Sequence, residues 1–464
     1  MKRHLLTISH ITPHVGGGVG SVIKDFISLS SSFNIEHNLF CLDKSQTNFC
    51  EILVNGIKLE SLSYQSDSYF IELLRESDVI LIHYWNHPLL AKFLACALLP
   101  PCRLLVWCHN SGLQEPHIIP KYLVRMAHKV IFTSNCSMKA PNLQNEISSW
   151  PSRFGVVHST HDLNPFYNVG KNRRPSKSLS KLLYVGTVSK SKMHSDSAYI
   201  FSLLSKSGFE ICVTGGPEHL ALQQEVLSLG GHIEVYGHNK SVLQFYQDAD
   251  LFIYPLRPDH YGTGEQVILE AMASGLPVIA FSNPAELEII LSGKTGILVS
   301  SSHEFLNAIH SISMDVNFYK SMSTNAMKRA SYKFDSNIMV KKLLGYVKEV
   351  MVFEKLTLLR NDATLKNVFD IFIMNTFFDE EFCMNYQKIN GEEINSEKVS
   401  QVFSKIRSQL ISADMAYLWT AKTKSSPFHY LSYFPDDREL RFFTEMISDE
   451  LSNMALFSKS ASKS

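Results

Sequence analysis

Residues 260–280 read HYGTGEQVILEAMASGLPVIA and combine a glycine-rich turn, an amphipathic helical pattern and a short apolar run. Thr263 and Gln266 have the spacing of a capping box, in which each side chain bonds to the other residue's backbone N–H. Gly275, which shortly precedes a proline, is a typical helix stop. The pattern therefore predicts a helix from near Gly264 to Gly275, followed by a buried strand.

The predicted helix has an apolar face and a separate polar stripe. The apolar positions are Val267, Ile268, Ala271 and Met272. Gln266, Glu270 and Ser274 recur every four residues and share another face. Either this stripe is the solvated side of the helix, or Glu270 points into a cleft. There its carboxylate would accept hydrogen bonds from two ribose hydroxyls, each worth about 1.5–3 kcal/mol. These residues alone leave both interpretations open.

Strand and helix patterns alternate on both sides of this segment, in two sets. In the first set the expected strands are 5–9, 38–42, 79–83, 104–108, 130–133 and 155–158. In the second set they are 182–185, 210–214, 233–236, 251–254, 278–281 and 297–299. Such alternation is typical of βαβ units in parallel sheets, which bind ligands at the carboxyl ends of their strands. The sequence thus predicts two α/β domains that face each other across a cleft.

Changes in composition suggest the domain boundaries. We expect a first Rossmann-like domain over residues 1–165 and a linker over 166–180, within a stretch rich in Asn, Pro and Ser. A second Rossmann-like domain is expected over 181–350. Residues 351–464 contain aromatic and apolar clusters without an assignable motif, which favours a mainly helical extension of unknown role.

Composition narrows the functional classes. The 44 basic and 44 acidic residues balance, so the chain lacks the net basic footprint of a duplex-binding protein. The eight cysteines include no CxxC pair, which favours a reducing compartment. We expect no signal peptide and no membrane span, because no apolar run has the length that either needs. We therefore expect a cytoplasmic protein and leave open a peripheral contact with the inner face of the membrane.

Residues 16–20, GGGVG, lie between the first predicted strand and the first predicted helix. Glycines let the backbone approach a ligand, and a helix N-terminus presents N–H groups to an anion. We interpret Gly17 and Gly18 as an anion-binding turn rather than merely a flexible one. A dinucleotide fingerprint does not fit, because Ser21 stands where its third glycine is expected. A Walker A motif fails at Glu288, where an earlier glycine is required.

Residues 260–280 resemble the signature of the family-4 retaining glycosyltransferases. In that signature a glutamate, seven residues and a second glutamate precede the run AMASGLPVI. Glu270 matches the second glutamate, which in that family binds the donor ribose. The first glutamate is missing, since Gly262 stands at its position. We expect Glu265, three residues later, to take over the contact with the donor sugar.

Other segments are similar to the same family. Residues 184–192, YVGTVSKSK, resemble its phosphate site, where Lys192 matches the family's lysine and Thr187 stands at the position of its arginine. Gly16–Gly18 resemble its N-terminal glycine loop. His109 matches a histidine that in the family faces the donor sugar near the reaction centre.

The resemblance extends over roughly residues 5–345 and is strongest over 180–300. It implies the GT-B architecture, in which two doubly wound Rossmann-like domains face a cleft, here with a mainly helical C-terminal extension. The first domain would lie on the acceptor side, and the second would bind the nucleotide sugar. It also implies retaining transfer of a sugar from a nucleotide-diphosphate sugar to a glycan or lipid-linked acceptor, as in polysaccharide or glycoconjugate biosynthesis. A catalytically weakened nucleotide-sugar-binding or scaffold protein stays open, because Gly262 and Thr187 depart from the family pattern. A GT-B-type epimerase or phosphorylase is a further alternative.

The expected site has two groups of residues. His109 and Glu265 are expected to be catalytic. The donor-binding residues are expected to be Gly17, Gly18, Lys192, Gly262, Thr263, Gly264 and Glu270. We expect no cofactor and no metal, because the Asp248-Ala-Asp250 pair precedes its strand and lies away from the cleft. The expected partners are the nucleotide-sugar donor and the acceptor, with no nucleic acid.

Overall fold

A computed structural model describes residues 5–43, 68–96, 99–173, 179–238, 241–357, 367–379, 395–422 and 425–461. Within these residues the chain forms two parallel six-stranded sheets and a helical C-terminal region. This arrangement confirms the predicted fold class.

The first sheet has the strand order β2-β1-β3-β4-β5-β6, and all its strand pairs are parallel. Its strands are β1 (Leu6–Thr12), β2 (Ile35–Cys41), β3 (Val79–Tyr84), β4 (Leu104–Cys108), β5 (Lys129–Phe132) and β6 (Phe154–Val156). Every residue of β3 and β4 is buried, as expected for central strands with helices on both faces.

The second sheet has the order β12-β11-β10-β7-β8-β9 and is also parallel throughout. Its strands are β7 (Lys181–Val185), β8 (Glu210–Thr214), β9 (Glu234–Tyr236), β10 (Leu251–Tyr254), β11 (Val278–Phe281) and β12 (Gly296–Val299). The strands predicted from the apolar runs are confirmed in both sheets, with ends shifted by at most a few residues.

The helices of the first half are α1 (Gly17–Ser30), α2 (Ser68–Glu76), α3 (Pro88–Cys96), α4 (Lys121–Met126), α5 (Gln144–Ser149) and α6 (Asn164–Asn172). Those of the second sheet's surroundings are α7 (Ser197–Lys206), α8 (His219–Ser228), α9 (Leu243–Asp248), α10 (Gln266–Ala273), α11 (Glu286–Ile289), α12 (Ser302–Met314), α13 (Val316–Lys333) and α14 (Ser336–Val350). The C-terminal region contains α15 (Val368–Thr376), α16 (Ser396–Ile411), α17 (Ala413–Thr420), α18 (Pro427–Tyr433) and α19 (Arg438–Ala461). Short 3-10 helices occur at Ser31–Phe33, Asn135–Lys139, Pro141–Leu143 and Pro151–Arg153.

Two segments cross between the domains. Helix α6 (Asn164–Asn172) begins before the predicted linker, overlaps its first half and packs on α9 and α10 of the second domain. Directly after it, the guanidinium of Arg173 donates hydrogen bonds to three backbone carbonyls, those of Tyr246, Ala249 and Ser274. Helix α14 returns to the first sheet, where Leu343 and Val347 pack in one apolar cluster with strand residues. The boundaries inferred from composition do not anticipate this return and stay predictions.

The C-terminal region has its own apolar core and attaches to the first domain. Its helices α15 and α18 pack on α3. Polar contacts reinforce the attachment: the Asn86 side chain donates to the Asn375 carbonyl at 3.1 Å, and Ser425 donates to the Asn86 carbonyl at 2.7 Å. The Tyr433 hydroxyl donates to Asp43 at 3.1 Å. In the part of the chain that the structure describes, no helix combines the length and hydropathy needed to cross a bilayer.

Candidate functional site

The loop between β10 and α10 bridges the two domains. The Ser111 N–H donates to the Tyr261 carbonyl at 3.0 Å, and the Thr263 hydroxyl donates to the His109 carbonyl at 3.3 Å. The Thr263 hydroxyl also bonds to that of Thr133, which directly follows β5. Residues at the carboxyl ends of strands in the first sheet therefore meet the loop that precedes α10.

The predicted capping box is wrong. Helix α10 begins at Gln266, Glu265 occupies the N-cap position, and no side chain caps the helix. The side chains of Thr263 and Gln266 instead reach across the cleft, because partners in the first domain are available to them. The Gln266 amide donates to the Gly18 carbonyl at 3.0 Å.

The glycine turn faces the beginning of α10. Gly17 adopts a φ of 64°, a left-handed conformation that glycine accepts without strain. A Cβ on Gly18 would lie 3.1 Å from Oε1 of Gln266, so the bare backbone allows the two domains to approach. The backbone N–H groups at the N-terminus of α1 thus lie beside the loop that contains the predicted donor-binding residues.

Lys192 and Glu265 form a buried ion pair with Tyr254. The Lys192 ammonium lies 3.1 Å from Glu265 Oε2 and donates to the Tyr254 hydroxyl at 2.9 Å. The Tyr254 hydroxyl donates to the same carboxylate oxygen at 2.5 Å. Burial alone would lower the pKa of Lys192, but the charge of Glu265 outweighs it and the pKa is raised. Burial alone would raise the pKa of Glu265, but Lys192 and His260 hold it below its usual range. Both groups are therefore charged at neutral pH.

Gly262 provides the space that the Glu265 carboxylate occupies. A Cβ built on Gly262 would lie 1.7 Å from Oε1 of Glu265, far inside any real contact distance. The carboxylate of Glu265 thus fills the position from which a side chain at residue 262 would start. The glycine at position 262, where the family has a glutamate, thus leaves the space that the expected replacement, the Glu265 carboxylate, occupies.

His260 and Glu286 are two site residues that the sequence analysis missed. His260 Nε2 lies 3.1 Å from Glu286 Oε1, and the other ring nitrogen accepts the Gly262 N–H at 3.1 Å. Burial alone would lower the pKa of His260, but the charges of Glu286 and Glu265 outweigh it and raise the pKa. Because Glu286 is 26 residues away in the chain, no local pattern pairs it with His260.

Glu270 lies on α10 and faces the crossing segment between the domains. One oxygen accepts a hydrogen bond from Tyr246 at 2.6 Å, and the other lies 3.2 Å from Nε2 of His161. Burial lowers the pKa of His161, but Glu270 and the nearby Asp25 of α1 raise it overall. The Glu270 side chain is only 12% exposed, so it lies between the two domains rather than on an open helix face.

His109 directly follows β4 and is partly exposed. Its Nε2 bonds to Nδ1 of His83 at 3.2 Å, and burial lowers its pKa to about 3. The imidazole is therefore neutral at physiological pH. Its backbone carbonyl accepts the hydrogen bond from Thr263 described above, which ties it to the loop of the second domain.

Two further residues bear on the expectations. Asp250 accepts the N–H groups of Ser180 and Lys181 at 3.0 and 2.9 Å, so it holds the start of β7, as its structural interpretation requires. Thr187 offers its backbone carbonyl to the Tyr184 hydroxyl at 2.8 Å. The loop at Thr187 therefore contributes no guanidinium to the site. The roles of the predicted catalytic and donor-binding residues stay predictions.

Residues 180–315 match the family described as Glycosyl transferases group 1. The capsular polysaccharide biosynthesis glycosyltransferase CapM of Staphylococcus aureus is 23% identical over 168 residues, which cover 34% of this chain and 43% of CapM. The alpha-1,3/1,6-mannosyltransferase ALG2 of Dictyostelium discoideum is 34% identical over 99 residues, 21% of this chain and 23% of ALG2. The chain thus spans less than half the length of these curated relatives.

The solved structure of HepE from Anabaena in complex with UDP and glucose is similar in fold, with a TM-score of 0.57 and 18% sequence identity. The match covers 74% of this chain and 100% of HepE. At this identity the likeness establishes the fold, which is GT-B. Together with the match over residues 180–315, it supports a GT-B glycosyltransferase.

Proposed function

We propose that this protein is a retaining glycosyltransferase that moves a sugar from a nucleotide-diphosphate sugar to a glycan or lipid-linked acceptor in polysaccharide or glycoconjugate biosynthesis. The observation that carries the proposal is the Lys192–Glu265 pair beneath the bare backbone of Gly262, in an interdomain groove that also contains Glu270. One ammonium, backbone amides and two carboxylates at one groove match the phosphates and hydroxyls that a nucleotide sugar presents.

The diphosphate is bound by Lys192 and by backbone amides. Two of the three ammonium protons of Lys192 bond to Tyr254 and Glu265, which leaves one for a phosphate oxygen. The N–H groups at Gly17 and Gly18 open a helix of 14 residues, whose N-terminus carries a partial positive charge. These groups stabilise the charge that develops on the departing nucleotide diphosphate, so transfer proceeds without a metal ion.

Glu270 binds the ribose. Its two oxygens are spaced to accept hydrogen bonds from neighbouring hydroxyls, and each carboxylate oxygen can accept a further bond beside those to Tyr246 and His161. Glu265 and His109 contact the donor sugar. The Oε1 atom of Glu265 lies 3.7 Å from His260 Nδ1, beyond hydrogen-bonding distance, so it is available to a sugar hydroxyl.

A thermal-shift screen with UDP-, GDP-, ADP- and CMP-sugars tests donor binding, because a ligand that prefers the native state raises Tm. We expect one nucleotide class to raise Tm in a concentration-dependent way. Transfer is then measured with that donor and a glycan acceptor, and the anomeric configuration of the product is read by NMR. The proposal would be contradicted if no nucleotide sugar raised Tm. It would also be contradicted if the product had the inverted anomeric configuration.

A second candidate is a nucleotide-sugar-binding scaffold without turnover. The observation that favours it is Thr187, whose loop supplies a carbonyl to Tyr184 where the family supplies a guanidinium. The scaffold alternative predicts a rise in Tm with the nucleotide sugar but no product with any acceptor.

An epimerase or phosphorylase is distinguished by product analysis with the donor alone or with inorganic phosphate. Transfer that is lost with EDTA and restored by Mn²⁺ would contradict metal independence.

A further inference from the structure

Four histidines form one continuous hydrogen-bonded chain through the first domain. His109 Nε2 lies 3.2 Å from His83 Nδ1, and His83 Nε2 lies 3.0 Å from His10 Nδ1. His10 Nε2 lies 2.9 Å from His37 Nδ1, and His37 Nε2 lies 2.8 Å from the hydroxyl of Ser30. The chain thus connects the groove with the end of α1.

The sheet register explains this alignment. His10 on β1 pairs with Leu39, two residues beyond His37 on β2. His10 also pairs with Leu81, two residues before His83 on β3. Since side chains two apart in a strand share a face, each step advances one strand and two residues toward the carboxyl edge. His109 follows by the same rule, two residues beyond the partner of His83 on β4.

The Ser30 hydroxyl determines the direction of every bond in the chain. It donates its one proton to the Phe26 carbonyl, which has no proton to return. The hydroxyl must therefore accept from Nε2–H of His37, whose Nδ1 then lacks a proton and accepts from His10. By the same rule His10 Nδ1 accepts from His83 Nε2–H, and His83 Nδ1 accepts from His109 Nε2–H. Nδ1 of His109 is left as an unprotonated acceptor.

The histidine chain requires neutral imidazoles, and burial of the rings keeps them neutral. His10 and His83 are completely buried, and burial lowers their pKa well below the usual value. Burial also lowers the pKa of His37 to about 4. Each neutral ring has one donor and one acceptor nitrogen, so both ring nitrogens of His83, His10 and His37 are satisfied. His109 Nδ1 has no hydrogen-bond partner among the described residues.

We propose that His83, His10 and His37, anchored by Ser30, are positioning residues that hold His109 as the Nε2–H tautomer, so that Nδ1 accepts a hydrogen bond from a hydroxyl of the donor sugar. The second half of this statement rests on the proposed function. A neutral acceptor nitrogen binds a hydroxyl and repels a carboxylate, so the donor-sugar group at this position is a hydroxyl rather than a carboxylate. His109 in this tautomer accepts a hydrogen bond from the substrate and cannot donate one to it.

Long-range ¹H–¹⁵N NMR of the histidine rings tests the tautomer directly, because protonated and bare ring nitrogens have different shifts. The protein contains one reference histidine for each of the two tautomers. His128 accepts the Leu104 N–H through Nδ1 and bonds to the Glu354 carbonyl through Nε2, so it must be the Nε2–H form. His158 bonds to the Thr133 carbonyl through Nδ1 and must be the Nδ1–H form. With signals assigned by single His→Gln variants, we expect His109 to match His128.

Ser30→Ala removes the group that sets the direction. We expect the His109 signals to move partly toward the His158 pattern, and kcat/KM for the donor to fall roughly two- to tenfold, as for loss of one neutral hydrogen bond. The matched control is Ser77→Ala, because Ser77 is a buried serine in the same domain that donates to the Leu73 carbonyl at 2.6 Å. Ser77 is outside the histidine chain, so its variant should leave the His109 tautomer unchanged.

An Nδ1–H form of His109 in the native protein would overturn the proposal. So would an unchanged His109 tautomer in Ser30→Ala. The NMR measurement needs no substrate, so the two proposals fail separately: an Nε2–H His109 in a protein that transfers no sugar contradicts the proposed function alone. Native-like transfer by Ser30→Ala despite a shifted tautomer would overturn the role of His109 Nδ1 at the sugar.

Discussion

Oε1 of Glu265 lies 1.7 Å from the position where a Cβ on Gly262 would stand. The two residues therefore act as a unit, since the glycine leaves space for a carboxylate that comes from three positions later in the chain. That carboxylate also holds Lys192 at 3.1 Å, so the departure at residue 262 and the cation of the site are structurally coupled.

Gly262→Ala should displace the Glu265 carboxylate, because no side chain tolerates a 1.7 Å contact. We expect kcat/KM for the donor to fall at least about tenfold, as expected when a catalytic group is misplaced by about 1 Å. The control is Gly345→Ala within helix α14, where an added Cβ meets nothing within 4 Å. That variant should keep its activity and gain about 0.5–1 kcal/mol in stability. Unchanged kcat/KM in Gly262→Ala would contradict the claim that Gly262 makes room for the Glu265 carboxylate.

Glu265→Gln should leave the Lys192 ammonium buried without a counter-charge. Breaking a buried ion pair by removing one partner costs about 3–5 kcal/mol in the free energy of unfolding, which urea denaturation measures. Glu225→Gln is the matched control, because Glu225 pairs with Lys190 at 3.8 Å on the exposed surface. It should change stability by no more than about 1 kcal/mol. Equal losses in the two variants would contradict the charged state of the buried pair.

The histidine chain predicts that stability falls when the pH falls below about 6.5. In that range the unfolded chain binds protons at His10, His37 and His83, whereas the folded protein does not, because burial lowers their pKa. Each such histidine then contributes a loss of about 1.4 kcal/mol per pH unit, down to its folded pKa.

The pKa of His260 is raised, so its contribution has the opposite sign: it is complete below pH 6.5 and is lost above it. Urea denaturation at pH 7.5, 6.5 and 5.5 checks these slopes. His37→Gln should reduce the acid-side slope by about 1.4 kcal/mol per unit. A variant with an unchanged slope would mean that His37 is protonated in the folded protein.

The sequence predicted the features that depend on local periodicity. The apolar runs predicted the strands of both sheets, and the four-residue repeat placed Glu270 on a polar stripe of α10, where its side chain is largely buried. The role of Glu270 at the donor stays a prediction. Local patterns failed where partners are distant. The predicted capping box of Thr263 and Gln266 was wrong. The spacing of these two residues does not show that their side chains bond to groups of the first domain instead.

The histidine chain illustrates the same limit. His10 and His83 are 73 residues apart, and only the strand order brings them to 3.0 Å. No spacing along the chain indicates such a series, because it depends on the order and register of the strands, which the sequence patterns do not provide. The return of helix α14 to the first sheet is likewise a tertiary choice that composition does not encode.

The most direct test of the account is the affinity of Glu270→Ala for the nucleotide sugar identified by thermal shift, measured by titration calorimetry. Loss of two charge-assisted hydrogen bonds to the ribose should raise Kd at least about tenfold. Glu234→Ala is the control, since Glu234 also accepts a tyrosine hydroxyl, that of Tyr236 at 3.0 Å, but lies on edge strand β9. A Kd for Glu270→Ala equal to that of the wild type and of Glu234→Ala would contradict a donor held by this carboxylate.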